Sequence, residues 1–377
     1  MTDGHADPGA RSDAEVREPL RRWLAPVLAA ESGRDVAGLD VGGWARPPAG
    51  QSSDTIMFRA SWTEAGRSRA RDLVLRRQAT GGIFLTPDVV REARVLQGLE
   101  SATRVPVPHV LGFERDPSAL GAPFFVMDRV AGRVPTARPS IHSAGWLPTL
   151  SPAARARLWE SAMEVLVGVH AVDWRARHAF LVGGEATGVV AHVDRLTEWY
   201  RWSAADREFP VTDAALEAVT ARRDTVAADE ATLVWGDARP GNMIFGEDGT
   251  VAAAIDWELA TVGAPGIDLG HWLFFDAFST TGAGVARLEG WPDREETIAR
   301  YEQLSGRVVA DIDFFELLEE LFIATTLIRQ ADMRVRRGLA PPDTRMGHDN
   351  AVTQMIARRL GLPVPEVSPD YLAHRRG

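Results

Sequence analysis

Three oxygen-bearing side chains recur at short intervals in one stretch of the chain: Asp237, Asn242 and Asp256. They stand in Val-Trp-Gly-Asp-Ala-Arg-Pro-Gly-Asn and, further on, Ala-Ile-Asp-Trp-Glu. An apolar run over 233–235 reads as a strand that delivers Asp237 into a short loop. The turn signal Glu247-Asp248-Gly249 then leads into a second apolar run over 251–255, which ends on Asp256. The pattern predicts two strands that bring all three groups to one end of a small sheet. One carboxylate can take the proton of an attacking hydroxyl, while an amide and a second carboxylate hold a metal over phosphates. That is the equipment of phosphoryl transfer with ATP and Mg2+. A capped tight turn would account for Asp237 and Asn242 alone, but not for the spacing, the turn and the second strand together.

Such groups need a scaffold, and the rest of the chain supplies one. A helix is expected over 16–30, with Pro26 bending or ending it. Strand-like runs follow at 36–44, 55–62 and 71–76, with a hairpin signal at Glu64-Ala65-Gly66. Pro87-Asp88 opens a helix over 89–99, and two more strands are expected at 107–114 and 123–130. After Gly132 comes a Pro-rich irregular stretch to Leu150. Ser151-Pro152 then caps a helix running to Val172. Further helices are expected at 194–204, 213–227, 268–278, 293–304, 313–337 and 351–360. This pattern predicts an α+β chain. A small, sheet-based lobe with one inserted helix spans 14–131, a mainly helical lobe spans 132–377, and 1–13 form a disordered tail.

Composition narrows the functional classes. A net charge of −10 and the lack of a basic, aromatic-rich patch argue against nucleic acid as a partner, and suit a neutral or cationic small substrate. The absence of cysteine excludes disulfides and thiolate chemistry. No signal-like segment and no apolar run of spanning length is present, so no membrane partner is expected and the cytoplasm is the expected compartment. All 42 basic Lys+Arg residues are arginine, a bias expected of GC-rich coding. Any phosphate contact usually made by lysine therefore falls to arginine.

Taken together, these elements resemble the two-lobed, protein-kinase-like fold of the aminoglycoside phosphotransferase and choline kinase superfamily. Within it the chain looks closest to uncharacterised bacterial phosphotransferases and to the kinase-like domains that accompany some acyl-CoA dehydrogenases. The resemblance runs from about Val36 to Arg337 and is most specific over 232–270. It implies that Asp237 orients the acceptor hydroxyl and takes its proton late in the transfer, and that Asn242 and Asp256 bind magnesium. Trp235 stands where the family has a histidine; an indole keeps the packing and donates one hydrogen bond. Asp268, in Gly-Ile-Asp-Leu-Gly, matches an aspartate that braces the catalytic loop.

The same resemblance extends to the nucleotide. Strand alternation puts Val74 and Arg76 on one face, where Arg76 would hold the α- and β-phosphates and pair with Glu92. Ordinary surface charge at a strand end is the alternative for Arg76 and Arg77. Ser52 and Ser53 fall in the place of the phosphate-covering loop. Met127 would border the adenine, the Asp128 carbonyl and Val130 amide would bond its edge, and Ile244 would form the apolar floor. Arg239 would contact the transferred phosphoryl group or else pair with a neighbouring carboxylate. Glu258, two residues past Asp256, shares its face on an extended chain and would support a second metal or an arginine. The acidic run Asp311, Asp313, Glu316, Glu319 and Glu320 reads as a cationic-substrate rim or, more simply, a solvated helix face. The 138–150 stretch reads as a lid or substrate loop, with His142 an incidental surface residue. The expected reaction moves the γ-phosphoryl group of ATP or GTP to a small-molecule hydroxyl. A kinase for a hydroxyacyl thioester and a nucleotide-binding regulator with little catalysis are the alternatives. The oligomeric state is not legible.

Overall fold

The computed structural model describes residues 13–46, 53–79, 82–101, 104–136, 138, 140–182, 187–226 and 230–376. Of the tail expected over 1–13, residues 1–12 lie outside the described residues, as does Ser52, while Asp13 already belongs to a helix. The chain divides into two compact units and passes from the first to the second between Val130 and Ala131; Pro106 already belongs to the second.

The first unit opens with helix α1 (Asp13–Ser32), then strands β1 (Val36–Ala45), β2 (Ser53–Glu64) and β3 (Arg67–Gln78). Helix α2 (Val89–Glu100) and strands β4 (Val110–Glu114) and β5 (Phe124–Asp128) complete it. The strands form one antiparallel sheet in the order β1-β2-β3-β5-β4. Ala65 and Gly66, with φ of 47° and 74°, make the two-residue β2–β3 turn between the paired Glu64 and Arg67. Positive φ at both positions matches the right-handed twist of the flanking strands. Val16, Leu20, Leu24 and Leu28, each one helical turn apart, pack on Leu39, Ile56, Phe58, Leu73, Leu75 and Val126. Pro26 neither ends α1 nor splits it, because its ring lies on the exposed side while the buried stripe carries the helix on to Ser32. The strand expected from Val107 begins only at Val110; Pro108, which cannot donate to a ladder, precedes it.

The second unit holds helices α3 (Pro152–His170), α4 (Trp174–Arg177), α5 (Val189–Ala204) and α6 (Pro210–Arg222). Four short strands follow: β6 (Thr232–Val234), β7 (Met243–Phe245), β8 (Val251–Ala254) and β9 (Thr261–Gly263). Then come α7 (Gly266–Ser279), α8 (Arg294–Ser305), α9 (Ile312–Arg336), α10 (Ala351–Leu360) and α11 (Pro369–Arg376). Helices α7 and α9 pack on each other, and α5, α6 and α10 pack on α9. One expectation is corrected here. The strand before Asp237 and the strand before Asp256 do not share a sheet: β6 pairs with β9, while β8 pairs with β7. The hairpin at 247–249 joins β8 to the strand immediately ahead of it, the pairing that a short turn permits. Among the described residues no helix is long and apolar enough to cross a membrane.

Candidate active site

The loop carrying Asp237 is held from beneath. Trp235 is fully buried and stacks on Trp257, with ring centroids 4.9 Å apart. Its Nε1–H donates to the carbonyls of Ile255 (3.2 Å) and Asp256 (3.1 Å). The indole thus ties the Asp237 loop to the Asp256 segment through the one donor it has. Asp268, buried in the first turn of α7, accepts from the amides of Trp235 and Gly236, both at 2.7 Å. His170 Nε2 lies 3.0 Å from the same carboxylate, and His170 Nδ1 lies 2.7 Å from the Tyr301 hydroxyl. Gly236 has φ 88°, and a Cβ there would sit 2.6 Å from the Leu259 Cβ, so only glycine fits.

Beyond Gly236 the chain makes a single 3₁₀ turn over Pro240–Asn242. Asn242 Nδ2 donates to the Asp237 carbonyl at 2.9 Å, which leaves its Oδ1 as the remaining side-chain acceptor. Ile255 N donates to the Asn242 carbonyl at 2.9 Å, so Asn242 stands one step and Asp256 two steps beyond the same end of the β7–β8 ladder. Asp256 itself has φ 66°, a left-handed conformation that aspartate tolerates better than most residues. The shared strand face expected for Glu258 is absent for this reason. The chain is not extended through Asp256, so Glu258 falls in a turn rather than on a shared strand face. Among the described residues no group of three or more His, Asp and Glu side chains is arranged as a metal cage. Two oxygen ligands at one strand end nevertheless suit Mg2+, which usually takes one or two protein ligands plus waters and phosphate.

Asp237 is the centre of the charge arrangement. Arg239 Nε donates to its Oδ1 at 2.7 Å, and His271 Nε2 lies 2.8 Å from that same oxygen. Oδ2 takes no hydrogen bond among the described residues. His271 is buried, and its Nδ1 lies 2.8 Å from Glu319 Oε2. Burial disfavours an ionised Asp237, but the Arg239 charge and the His271 hydrogen bond outweigh it and hold the carboxyl well below the usual range. Burial likewise opposes a charged His271, yet its bonds to Asp237 and Glu319 raise it to about 9. Burial raises the Glu319 carboxyl, and His271 only partly offsets this. At neutral pH His271 is therefore an imidazolium that donates from both nitrogens, to Asp237 and to Glu319.

Of the two readings of Arg239, the structure contains the ion pair, and its partner is Asp237. The guanidinium also lies over the Phe275 ring, 4.6 Å from its centroid. The solvated-face reading of the acidic run holds for the exposed Asp311 and Asp313 and is corrected for the three glutamates. Glu316, Glu319 and Glu320 are buried, and their partners are Arg294 and Arg359, His271, and Arg359. Asp311 and Asp313 pair with Arg222. His142 is likewise no surface residue: it is buried edge-on against Trp291 and accepts from the Leu288 amide. The stretch that holds it is tied down, with Ser140 Oγ donating to the Ser279 carbonyl and Trp146 Nε1 to that of Val134.

In the first unit, Arg76 Nη1 lies 2.9 Å from Glu92 Oε1, with both side chains buried. Arg77 is also buried, paired with Asp54, so neither is a loose surface charge. Leu73 and Leu75 face the α1 core, while Val74 and Arg76 occupy the other side of β3. Asp88 caps α2, accepting from the amides of Val90 (3.0 Å) and Arg91 (2.9 Å), which fixes the helix that carries Glu92. Met127 is buried in β5, the Asp128 side chain pairs with Arg71, and Ser53 begins β2. In the second unit Ile244 is half-buried in β7, against Gly132.

The description "phosphotransferase enzyme family" attaches to the sequence profile that matches residues 44–303. A candidate aminoglycoside phosphotransferase from Ralstonia eutropha superposes with a TM-score of 0.64 at 26% identity, over 91% of this chain and 98% of that one. A thermostable variant of the aminoglycoside phosphotransferase APH(4)-Ia, solved with ADP and hygromycin B, shares the fold. Its TM-score is 0.54 at 15% identity, over 89% of this chain and 98% of that one. In sequence, acyl-CoA dehydrogenase family member 10 of Mus musculus is 30% identical over 224 residues, 59% of this chain and 19% of that protein. Member 11 of Homo sapiens is 26% identical over 313 residues, 79% of this chain and 38% of that protein. The chain thus spans well under half the length of these relatives. With a two-unit kinase-like architecture and a family profile that covers most of its length, the chain belongs to the phosphotransferase enzyme family.

Proposed function

We propose that this phosphotransferase moves the γ-phosphoryl group of ATP (or GTP) to a hydroxyl of a small molecule, with Asp237 receiving the hydroxyl proton. The observation that carries the reading is the asymmetry of the Asp237 carboxylate. Both neighbouring cations bond Oδ1, which leaves Oδ2 to accept from an acceptor hydroxyl. A carboxylate held this acidic is a poor base toward a neutral alcohol. It orients the hydroxyl first and takes the proton only once the bond to phosphorus has largely formed. Arg239 keeps that carboxylate ionised and adds positive charge next to the transferring group.

Asn242 and Asp256 would hold Mg2+, which when bound neutralises charge on the phosphates. Arg76, fixed by Glu92, would take the α- and β-phosphates in place of a lysine. Val74 and Met127 would flank the adenine, with the Asp128 carbonyl and Val130 amide at its edge and Ile244 beneath it. Ser53 and Ser52 would cover the phosphates. The internal pairing of Glu316, Glu319 and Glu320 favours a neutral or anionic acceptor over a polycationic aminoglycoside. The names of the acyl-CoA dehydrogenase relatives are compatible with a hydroxyacyl thioester as one such acceptor.

A coupled assay of nucleotide consumption across a broad acceptor panel tests the reading. Asp237→Ala is expected to abolish acceptor-dependent turnover while nucleotide binding persists. Full turnover in that variant would overturn the assignment.

A further inference from the structure

A group of cations that the proposed transfer does not use gathers around His374 on α11. Arg334 Nη1, from α9, lies 3.3 Å from His374 Nδ1, and Arg138 Nη2 lies 3.5 Å from His374 Nε2. Arg375 lies over the Phe278 ring, 4.7 Å from its centroid. Neither Arg138 nor Arg334 forms an ion pair with a carboxylate among the described residues. Elsewhere in the described residues arginines are densely paired, as Arg239, Arg294, Arg300 and Arg359 illustrate.

The hydrogen bonds at this point do not close. A neutral imidazole has one lone pair and one N–H, yet an arginine donor faces each of its ring nitrogens. One of those approaches is therefore donor against donor. The Nε of Arg334 is buried and has no partner, a cost that native structures rarely leave standing. Burial and the Arg375 and Arg334 charges all act against the ionised Arg138. Burial and the three arginines hold His374 down at about 4, so the imidazole adds no positive charge of its own. What Arg138 and Arg334 lack among the described residues is negative charge with several acceptor oxygens.

We propose that Arg138, Arg334 and Arg375 form a binding subsite for a phosphate-type oxyanion carried by a small ligand. Guanidinium forks match phosphate oxygens, and more than one of them suits a dianion. Arg138 is exposed and Arg334 and Arg375 are half-buried, so the group is reachable from solvent. The location also connects it to the reaction. His271, Phe275 and Phe278 lie at i, i+4 and i+7 along α7, and Arg239 lies over Phe275. The rise per residue places the subsite about 10 Å along the helix from His271. An acceptor with its hydroxyl at Asp237 and a phosphate group some two helical turns away would engage both. That role rests on the proposed transfer reaction, whereas the binding itself does not.

The test is therefore a binding measurement. Inorganic phosphate is titrated into the full chain by calorimetry and by thermal melting, at constant ionic strength against chloride and acetate. Saturable stabilisation by phosphate is expected, with at least about a tenfold weaker apparent affinity in Arg138→Gln and in Arg334→Gln. In chloride alone both variants should be as stable as the wild type or more so, because like charges have been removed. Asp237→Ala should bind phosphate normally, and this separates the subsite from the transfer reaction. Phosphate binding that is absent from the wild type, or unchanged in both arginine variants, overturns the proposal. If binding is lost in those variants while no acceptor is ever phosphorylated, the subsite stands and the transfer reading falls.

Discussion

His271 Nε2 lies 2.8 Å from Oδ1 of Asp237, and its other ring nitrogen lies 2.8 Å from Glu319. The Asp237 carboxylate is thus oriented by a buried imidazolium that is itself held by Glu319. His271 touches no proposed substrate atom and acts by positioning Asp237. His271→Asn, which keeps at most one of the two bonds, is expected to lower kcat by about 10–100-fold, the range seen when a supporting partner of a site residue is lost. KM for nucleotide should change little, because the nucleotide contacts are assigned to other residues. An unchanged kcat would remove His271 from the machinery.

The same pair predicts a pH dependence of stability. Folding raises the His271 pKa from 6.5 to about 9. A group raised on folding contributes its full stabilisation below the unfolded value and loses it as pH climbs through the folded one. Thermal unfolding should therefore show a decline in Tm between about pH 7 and 9.5 that His271→Asn lacks. Asp237 is shifted the other way, so its contribution disappears only on acidification below the ordinary carboxylate range.

Arg239 offers a separate lever. With the guanidinium gone, Asp237 keeps the His271 bond but loses the charge that holds it most acidic. Arg239→Ala should move the acid limb of the kcat–pH profile to higher pH. It should also cost about 10²–10³ in kcat, if the charge is used in the transition state as a fixed donor is. A fall in kcat without movement of the acid limb would confine Arg239 to the phosphoryl group.

These relationships mark where the sequence was readable. Asp237, Asn242 and Asp256 are separated by a loop and a hairpin, so local spacing alone brought them into view. Strand alternation puts Arg76 on one face of β3, and the family resemblance supplies Glu92 as its partner. His271 and Glu319 meet only because α7 packs on α9, and their 48-residue separation carries no local signal. Glu316, Glu319 and Glu320 read as a solvated face because their partners lie on three other helices, α7, α8 and α10. The β6–β9 pairing joins two three-residue strands, too short for any periodicity to show.

In the first unit, the Arg76–Glu92 pair makes a prediction about stability and binding together. Both groups are buried, so Glu92→Ala takes away the carboxylate 2.9 Å from the Arg76 guanidinium, and breaking a buried pair in this way costs up to about 3–5 kcal/mol. Chemical denaturation should register that loss, and the nucleotide KM should rise. Arg76→Lys keeps the charge but not the fork, and should weaken nucleotide binding more than it weakens the fold. Equal effects on both would make the pair a structural brace only.

Trp235 separates packing from hydrogen bonding in the loop itself. Its ring fills the space against Trp257, and its single N–H spans to the Ile255 and Asp256 carbonyls. Trp235→Phe removes the donor but keeps most of the apolar volume, and should cost about 1–3 kcal/mol for the polar groups left unsatisfied. Trp235→Ala adds a cavity and should cost about 3–5 kcal/mol. Because the lost donor ties the Asp237 loop to Asp256, the phenylalanine variant should also lose turnover. Mg2+ affinity, read from the metal dependence of nucleotide binding, should weaken with it. If Trp235→Phe were destabilised but kept full turnover and metal dependence, the indole would be a core residue alone, and Asp256 would be placed by β8 without it.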